Sequence, residues 1–125
     1  MSNYKFEDGE YLVVLSDDTD VFDCHSCNSM DEVYEVLSNR IMDELEYLFH
    51  QDMSYEDALE DDLWKQEDID FAEELWNTRL IKDMSVIRDA YDTFFADGWS
   101  YLVMNSYGDV EASRRSYNGR MRMLY

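Results

Sequence analysis

The 125-residue chain has no proline and only two cysteines, and its ten Lys plus Arg stand against thirty Asp plus Glu. Each scarcity excludes something. Without proline the usual punctuation between elements is missing, so boundaries read from the sequence carry errors of about two to four residues. Two cysteines, Cys24 and Cys27, are too few for a disulfide framework, and with eight methionines and no secretion signal they agree with a reducing cytoplasm. No apolar run approaches the ~18 residues of a membrane span, and Met1 to Gly9 shows neither the basic start nor the apolar stretch of a signal peptide. The shortage of cations gives a net charge of −20, about one uncompensated negative charge per six residues. Phosphate backbones and anionic membrane surfaces both repel such a chain.

What is present argues for a folded chain. Acidic disordered chains are poor in aromatics, whereas this one is 46% hydrophobic with ten Tyr, six Phe and three Trp. The length suits a single domain over residues 1–125, able to bury roughly two thirds of its unfolded surface.

Tyr11-Leu12-Val13-Val14-Leu15, bounded by Gly9 and Ser16-Asp17-Asp18, reads as a buried strand, and a second short extended piece is expected at Asp20 to Asp23. Ser29-Met30-Asp31-Glu32 has the spacing of a capping box and opens a helix to about His50, with Val33, Leu37, Ile41, Leu45 and Leu48 as its apolar stripe. Ser54 to Gln66 reads as a second helix. A third starts near Glu67, with Ile69, Ala72, Leu75, Trp76 and Leu80 on one side. Asp83 offers a cap for a fourth, with Met84, Ile87, Tyr91 and Phe94 inward, ending at Asp97-Gly98; the pattern equally allows the third and fourth to be one helix. From Trp99 the period becomes two: Trp99, Tyr101, Val103 and Tyr107 alternate with Ser100, Leu102, Met104 and Ser106. Gly108-Asp109 and Asn118-Gly119 supply turns, which makes the C-terminus a meander of about three strands. The expected architecture is α+β: three or four helices with an acidic outer face packed against a small antiparallel sheet formed by the N-terminal strand and the C-terminal meander.

The charge is unevenly placed. Up to Ser113 the chain carries thirty acids and six bases, a balance of −24; Arg114, Arg115, Arg120 and Arg122 return +4. At about 100° per residue, Glu32, Glu35, Asn39, Asp43, Glu46 and His50 fall within roughly 80° of one another, opposite the apolar stripe of the first helix. Glu67, Asp70, Glu74 and Asn77 align similarly on the third, and Glu56, Asp57, Glu60, Asp61 and Asp62 lie between. Residues 41–64 hold nine acids and no Lys or Arg. Ordinary helices interleave Lys with Glu because opposite charges four apart stabilise and like charges destabilise by a few tenths of a kcal/mol each. The bland interpretation is a solvated acidic face. The functional one is a rigid row of carboxylates standing where phosphates would, suited to a cationic groove on another protein and associated with strongly salt-dependent binding.

In size, in its −24 body, in the acid-lined segments Glu32 to Glu46 and Glu56 to Glu74, and in interleaved aromatics such as Tyr47, Tyr55, Trp64 and Trp76, the chain resembles the small acidic proteins of phages and mobile elements that mimic nucleic acid. Those proteins block restriction or CRISPR effector enzymes and share no single fold. The resemblance implies an anti-CRISPR or anti-restriction type of inhibitor in the bacterial cytoplasm, with no catalytic residues, metal or cofactor. Its partner would be a basic nucleic-acid-binding protein. The expected partner-binding residues are Glu32, Glu35, Asp43, Glu46, Glu56, Asp57, Glu60, Asp61, Asp62, Glu67, Asp70 and Glu74. The competing class is an acidic interaction module that regulates a host or phage enzyme without imitating nucleic acid.

Other constellations point elsewhere with less support. Cys24-His25-Ser26-Cys27 offers two metal or redox ligands, which His50 with Asp20 or Asp23 could complete, but the βαβ units of thioredoxin-like folds are not evident, and ordinary reduced cysteines in a loop are expected. Asp17, Asp18, Asp20 and Asp23 lack the ligand order of an EF-hand. No nucleophile elbow, phosphate loop or metalloprotease motif occurs. The hairpin Arg114 to Tyr125 would place Arg115 opposite Arg122, a like-charge pair needing neutralisation by carboxylates of this chain, by a second copy's acidic face, or by nucleic acid held by the target.

Overall fold

A computed structural model describes residues 10–16, 22–51, 64–95 and 99–114. The expected helix from Ser54, the acids Glu56 to Asp62, the turn at Asp97-Gly98 and the hairpin beyond Arg114 lie outside these residues. The chain divides into two compact units, Leu37–Phe95 and the residues on either side of it. The architecture is α+β. Strands β1 (Tyr11–Ser16), β2 (Phe22–Cys27), β3 (Ser100–Asn105) and β4 (Val110–Arg114) form one antiparallel sheet in the order β2-β1-β3-β4. The α-helices are α1 (Met30–Glu46), α2 (Gln66–Thr78) and α3 (Met84–Phe94). No described helix is long and apolar enough to cross a membrane.

In the sheet, β1 is central because its run of Leu and Val tolerates burial on both sides. It pairs with β2 through Val13↔His25 and with β3 through Val13↔Val103. The alternation expected in β3 is present in its register, yet Ser100, Tyr101, Leu102 and Val103 are all buried. A strand with neighbours on both edges and both faces covered shows no polar side. Ser100 is accommodated by a hydroxyl–hydroxyl hydrogen bond to the buried Ser16 beside it. The hairpin from β3 to β4 turns where Gly108-Asp109 led us to expect it. Asn105 Oδ1 accepts from the backbone N–H groups of Tyr107 at 2.9 Å and Asp109 at 3.0 Å, and Gly108 has a φ of +86°, a conformation open to glycine without strain.

The second extended piece is displaced from its expected position. It spans Phe22–Cys27 rather than Asp20 to Asp23, so the Cys-His-Ser-Cys segment is a strand and not a loop. Pairing with β1, in the register Val14↔Cys24 and Tyr11↔Cys27, outweighs the weak strand preference of Asp and Ser.

The start of α1 follows the capping logic. Ser29 Oγ accepts from the Glu32 N–H at 3.3 Å, while the Glu32 carboxylate accepts from the Asn28 N–H, one residue earlier than the standard box. Val33, Leu37, Ile41 and Leu45 are fully buried, as the stripe required. The helix then widens into a π-helical turn over Tyr47–Gln51. A wider turn advances the chain by a smaller angle per residue. Phe49 is therefore the buried residue, and Leu48, expected inward, is only half-buried.

Phe49 anchors the aromatic core of the Leu37–Phe95 unit, meeting Trp64 at 5.5 Å and Phe94 at 6.0 Å, both edge-on. Helices α2 and α3 are separate. Ile69, Ala72 and Leu75 of α2 are buried, but Leu80 lies beyond its end and is exposed. The connection is fixed to α1 by Ser38, whose buried hydroxyl accepts from the Ile81 N–H at 2.8 Å and donates to the Ile81 carbonyl. Asp83 caps α3 as expected, accepting from the Ser85 N–H at 2.9 Å. The helix ends at Phe94, three residues before the expected Asp97.

Candidate protein-interaction surface

Helix α1 has two chemically opposed sides. Inward are the four buried aliphatic residues; outward, Glu35, Asp43 and Glu46 are exposed. Glu32, the first of the expected row, is half-buried and holds the Asn28 amide. It is thus partly committed to the helix start. Along α2, Glu67, Asp70 and Glu74 are exposed, and Asp70 accepts a hydrogen bond from Gln66 Nε2 at 2.8 Å. Among the described residues, no ion pair engages Glu35, Asp43, Glu46, Glu67, Asp70 or Glu74. Glu56, Asp57, Glu60, Asp61 and Asp62 are not among them.

The cations of this unit that do pair are elsewhere. Arg40 Nη2 lies 3.4 Å from Glu44 Oε1, and its guanidinium lies over the Phe95 ring at 5.1 Å. Burial pushes the Glu44 carboxyl above its ordinary range, against the opposing pull of Arg40. Arg88 lies 3.4 Å from Asp92 on α3. These (i, i+4) pairs are the arrangement that the outer face of α1 lacks. Arg114, counted with the basic tail, is buried and donates to the Trp99 carbonyl at 3.2 Å. At least this one of the four tail arginines has a structural role.

Three residues at the far end of the acidic face form a stack that sequence reasoning missed. The lag of the π-helical turn moves His50 off the line of carboxylates, and its ring stacks on Trp76 with centroids 4.1 Å apart and planes 20° from parallel. The Arg79 guanidinium lies over the same indole at 3.8 Å. Arg79 follows the last residue of α2 with φ +67° and ψ −59°, and the Leu80 N–H donates to the Thr78 carbonyl at 2.8 Å around it. That is a γ-turn of the rarer hand. For a residue with a Cβ such a conformation costs on the order of 1–3 kcal/mol. The Trp76–Arg79 spacing of three was a readable helical signal, but neither the π-helical turn nor the γ-turn has a sequence signature.

Cys24 is exposed and Cys27 buried. Three residues apart on a strand, their side chains point to opposite faces, which separates them for a disulfide or a shared metal. Burial raises the Cys27 thiol above its usual range, and the Glu32 and Glu35 carboxylates add to the shift. Among the described residues, no group of three or more His, Cys, Asp or Glu is placed to hold a metal ion. Comparison with protein families, curated proteins and solved structures finds no match.

Proposed function

We propose that this protein is a cytoplasmic inhibitor that mimics nucleic acid and occludes the basic DNA- or RNA-binding cleft of a bacterial defence nuclease or effector, of the anti-CRISPR or anti-restriction type. The observation that carries this reading is the outer face of α1, where Glu35, Asp43 and Glu46 are exposed opposite a fully buried aliphatic stripe. A helix rises ~1.5 Å per residue, so Asp43 and Glu46 stand ~4.5 Å apart along its axis and Glu35 ~12 Å before Asp43. Charges on such a scaffold need little ordering when a cationic groove closes over them. Release of counterions and long-range attraction then contribute to affinity and encounter rate.

Glu67, Asp70 and Glu74, exposed on α2, and Glu32, at the start of α1, belong to the proposed contact. The five acids from Glu56 to Asp62 belong to the proposed contact by their sequence position. No catalytic step, metal or cofactor enters the proposal. The partner is a protein, not nucleic acid or a membrane.

The test is capture of a basic partner from a bacterial lysate on the immobilised protein, followed by challenge with DNA and RNA. A mimic is displaced by the nucleic acid that its partner binds. Retention at saturating DNA and RNA would assign the protein instead to the class of acidic interaction modules.

A further inference from the structure

The stack at the end of the acidic face contains a guanidinium seated on an indole in a strongly acidic protein, and the backbone is strained where that guanidinium is attached. Glycine would adopt the +67° φ at this position without a Cβ penalty, yet the residue is Arg79. Its exposed side chain lies 3.8 Å from the centroid of the half-buried Trp76. Glu73 is exposed on α2 three residues before Trp76, the spacing at which helix side chains are neighbours. An aromatic face beside a carboxylate is the chemistry that prefers a planar guanidinium to a compact ammonium. The internal contact of Arg79 is an example, within the chain, of the group that such a face favours.

We infer that the Trp76 face is an exchangeable arginine site: an arginine side chain of the cationic partner displaces Arg79 from the indole and is held between Trp76 and Glu73. This deepens the proposed function and rests on its premise that the acidic face meets a cationic protein. The carboxylate row draws in any basic surface and sets the association rate, whereas the indole selects arginine over lysine and lengthens the complex's lifetime. Arg79 is exposed, so its guanidinium can leave the ring for solvent as another takes its place. The charge balance of −24 up to Ser113 favours such an occupant over an acidic or neutral one.

The inference is tested on the full chain with two probes, a ten-residue polyarginine and a ten-residue polylysine peptide. Affinity is measured by calorimetry, and the Trp76 indole N–H is followed by NMR. The wild type is expected to bind polyarginine about two- to fivefold tighter than polylysine, with the Trp76 resonance shifting for polyarginine alone. Arg79→Gly, which suits the backbone and vacates the ring, is expected to widen that ratio; Trp76→Ala is expected to bring it to one. Trp76→Phe, which keeps a ring and packs conservatively, is expected to retain part of the preference if the alanine variant is poorly folded. Equal binding of the two peptides by both wild type and Arg79→Gly, or a preference surviving in well-folded Trp76→Ala, overturns the inference while leaving the acidic-face reading intact. Self-association of the wild type that disappears in Arg79→Gly overturns it too, by giving the site to a second copy. Failure of both peptides to bind at low salt would remove the acidic-face reading itself.

Discussion

On α3 the exposed Arg88 stands one turn before Asp92 and pairs with it, whereas on α1 the exposed Asp43 and Glu46 stand one turn apart with no cation between them. Both helices bury a full apolar stripe, through Ile87, Ala90, Tyr91 and Phe94 on α3 and through Val33, Leu37, Ile41 and Leu45 on α1. The difference lies on the solvent side alone. There α3 takes the small stabilisation available from opposite charges, and α1 accepts the small cost of like ones. Within α1 itself, Arg40 and Glu44 pair on a half-buried flank, so the helix uses compensation where it packs and forgoes it where it is exposed. The outer face of α1 thus carries charge that does not stabilise its own helix, which is the premise of the proposed contact.

The largest expected effect separates the two sides of α1. Ile41→Ala should destabilise the protein by about 2–5 kcal/mol, because it removes a fully buried side chain from packed surroundings. Chemical denaturation measures it. Asp43→Lys with Glu46→Lys should leave stability within about 0.5 kcal/mol of wild type or raise it, since the change relieves repulsion. The same variant should slow association with the basic partner by at least about tenfold in stopped-flow or surface measurements. A large loss of stability with unchanged association would reverse the comparison.

On α3, Arg88→Ala should cost no more than about 0.3–0.5 kcal/mol and leave partner association unchanged, because an exposed (i, i+4) pair contributes that little. A strong binding defect there would move the contact surface away from α1.

Two pH effects of opposite sign sharpen the contrast further. Burial raises Glu44 in the folded state, so the native protein holds that proton more firmly than the unfolded chain does. Its contribution to stability falls as pH rises through the window just above the ordinary glutamate range. Glu44→Gln should therefore melt higher than wild type near neutrality and equal to it in acid. Asp83 is lowered by hydrogen bonds from Ser85. Its contribution is present above the unfolded aspartate range and lost as pH falls through the folded value, and Asp83→Asn, which keeps an acceptor, should flatten that loss. Melting curves across acid pH should show the Asp83 effect as the smallest of the series.

The periodic elements were legible because their signals are local. The spacing of Val33, Leu37, Ile41 and Leu45, the caps at Ser29 and Asp83, and the Asn105 to Asp109 turn each determine structure within a few residues. The exposure of Glu35, Asp43, Glu46, Glu67, Asp70 and Glu74 followed from the same periodicity. Long-range effects escaped it. Cys24 to Cys27 became a strand because β1 lay beside it, and β3 lost its polar face because both its sides were covered. The half-burial of Glu32 reflects a cap shifted by one residue. The His50–Trp76–Arg79 stack depends on two rare backbone turns, whose cost is offset only by tertiary packing that no short sequence window contains.

The measurement that bears most directly on the central claim is the salt dependence of partner binding for the wild type and for Asp43→Lys with Glu46→Lys. We predict a steep fall of affinity with salt for the wild type, a shallower slope for the double variant, and displacement of the wild type by DNA or RNA. An unchanged slope in a folded double variant would contradict the account.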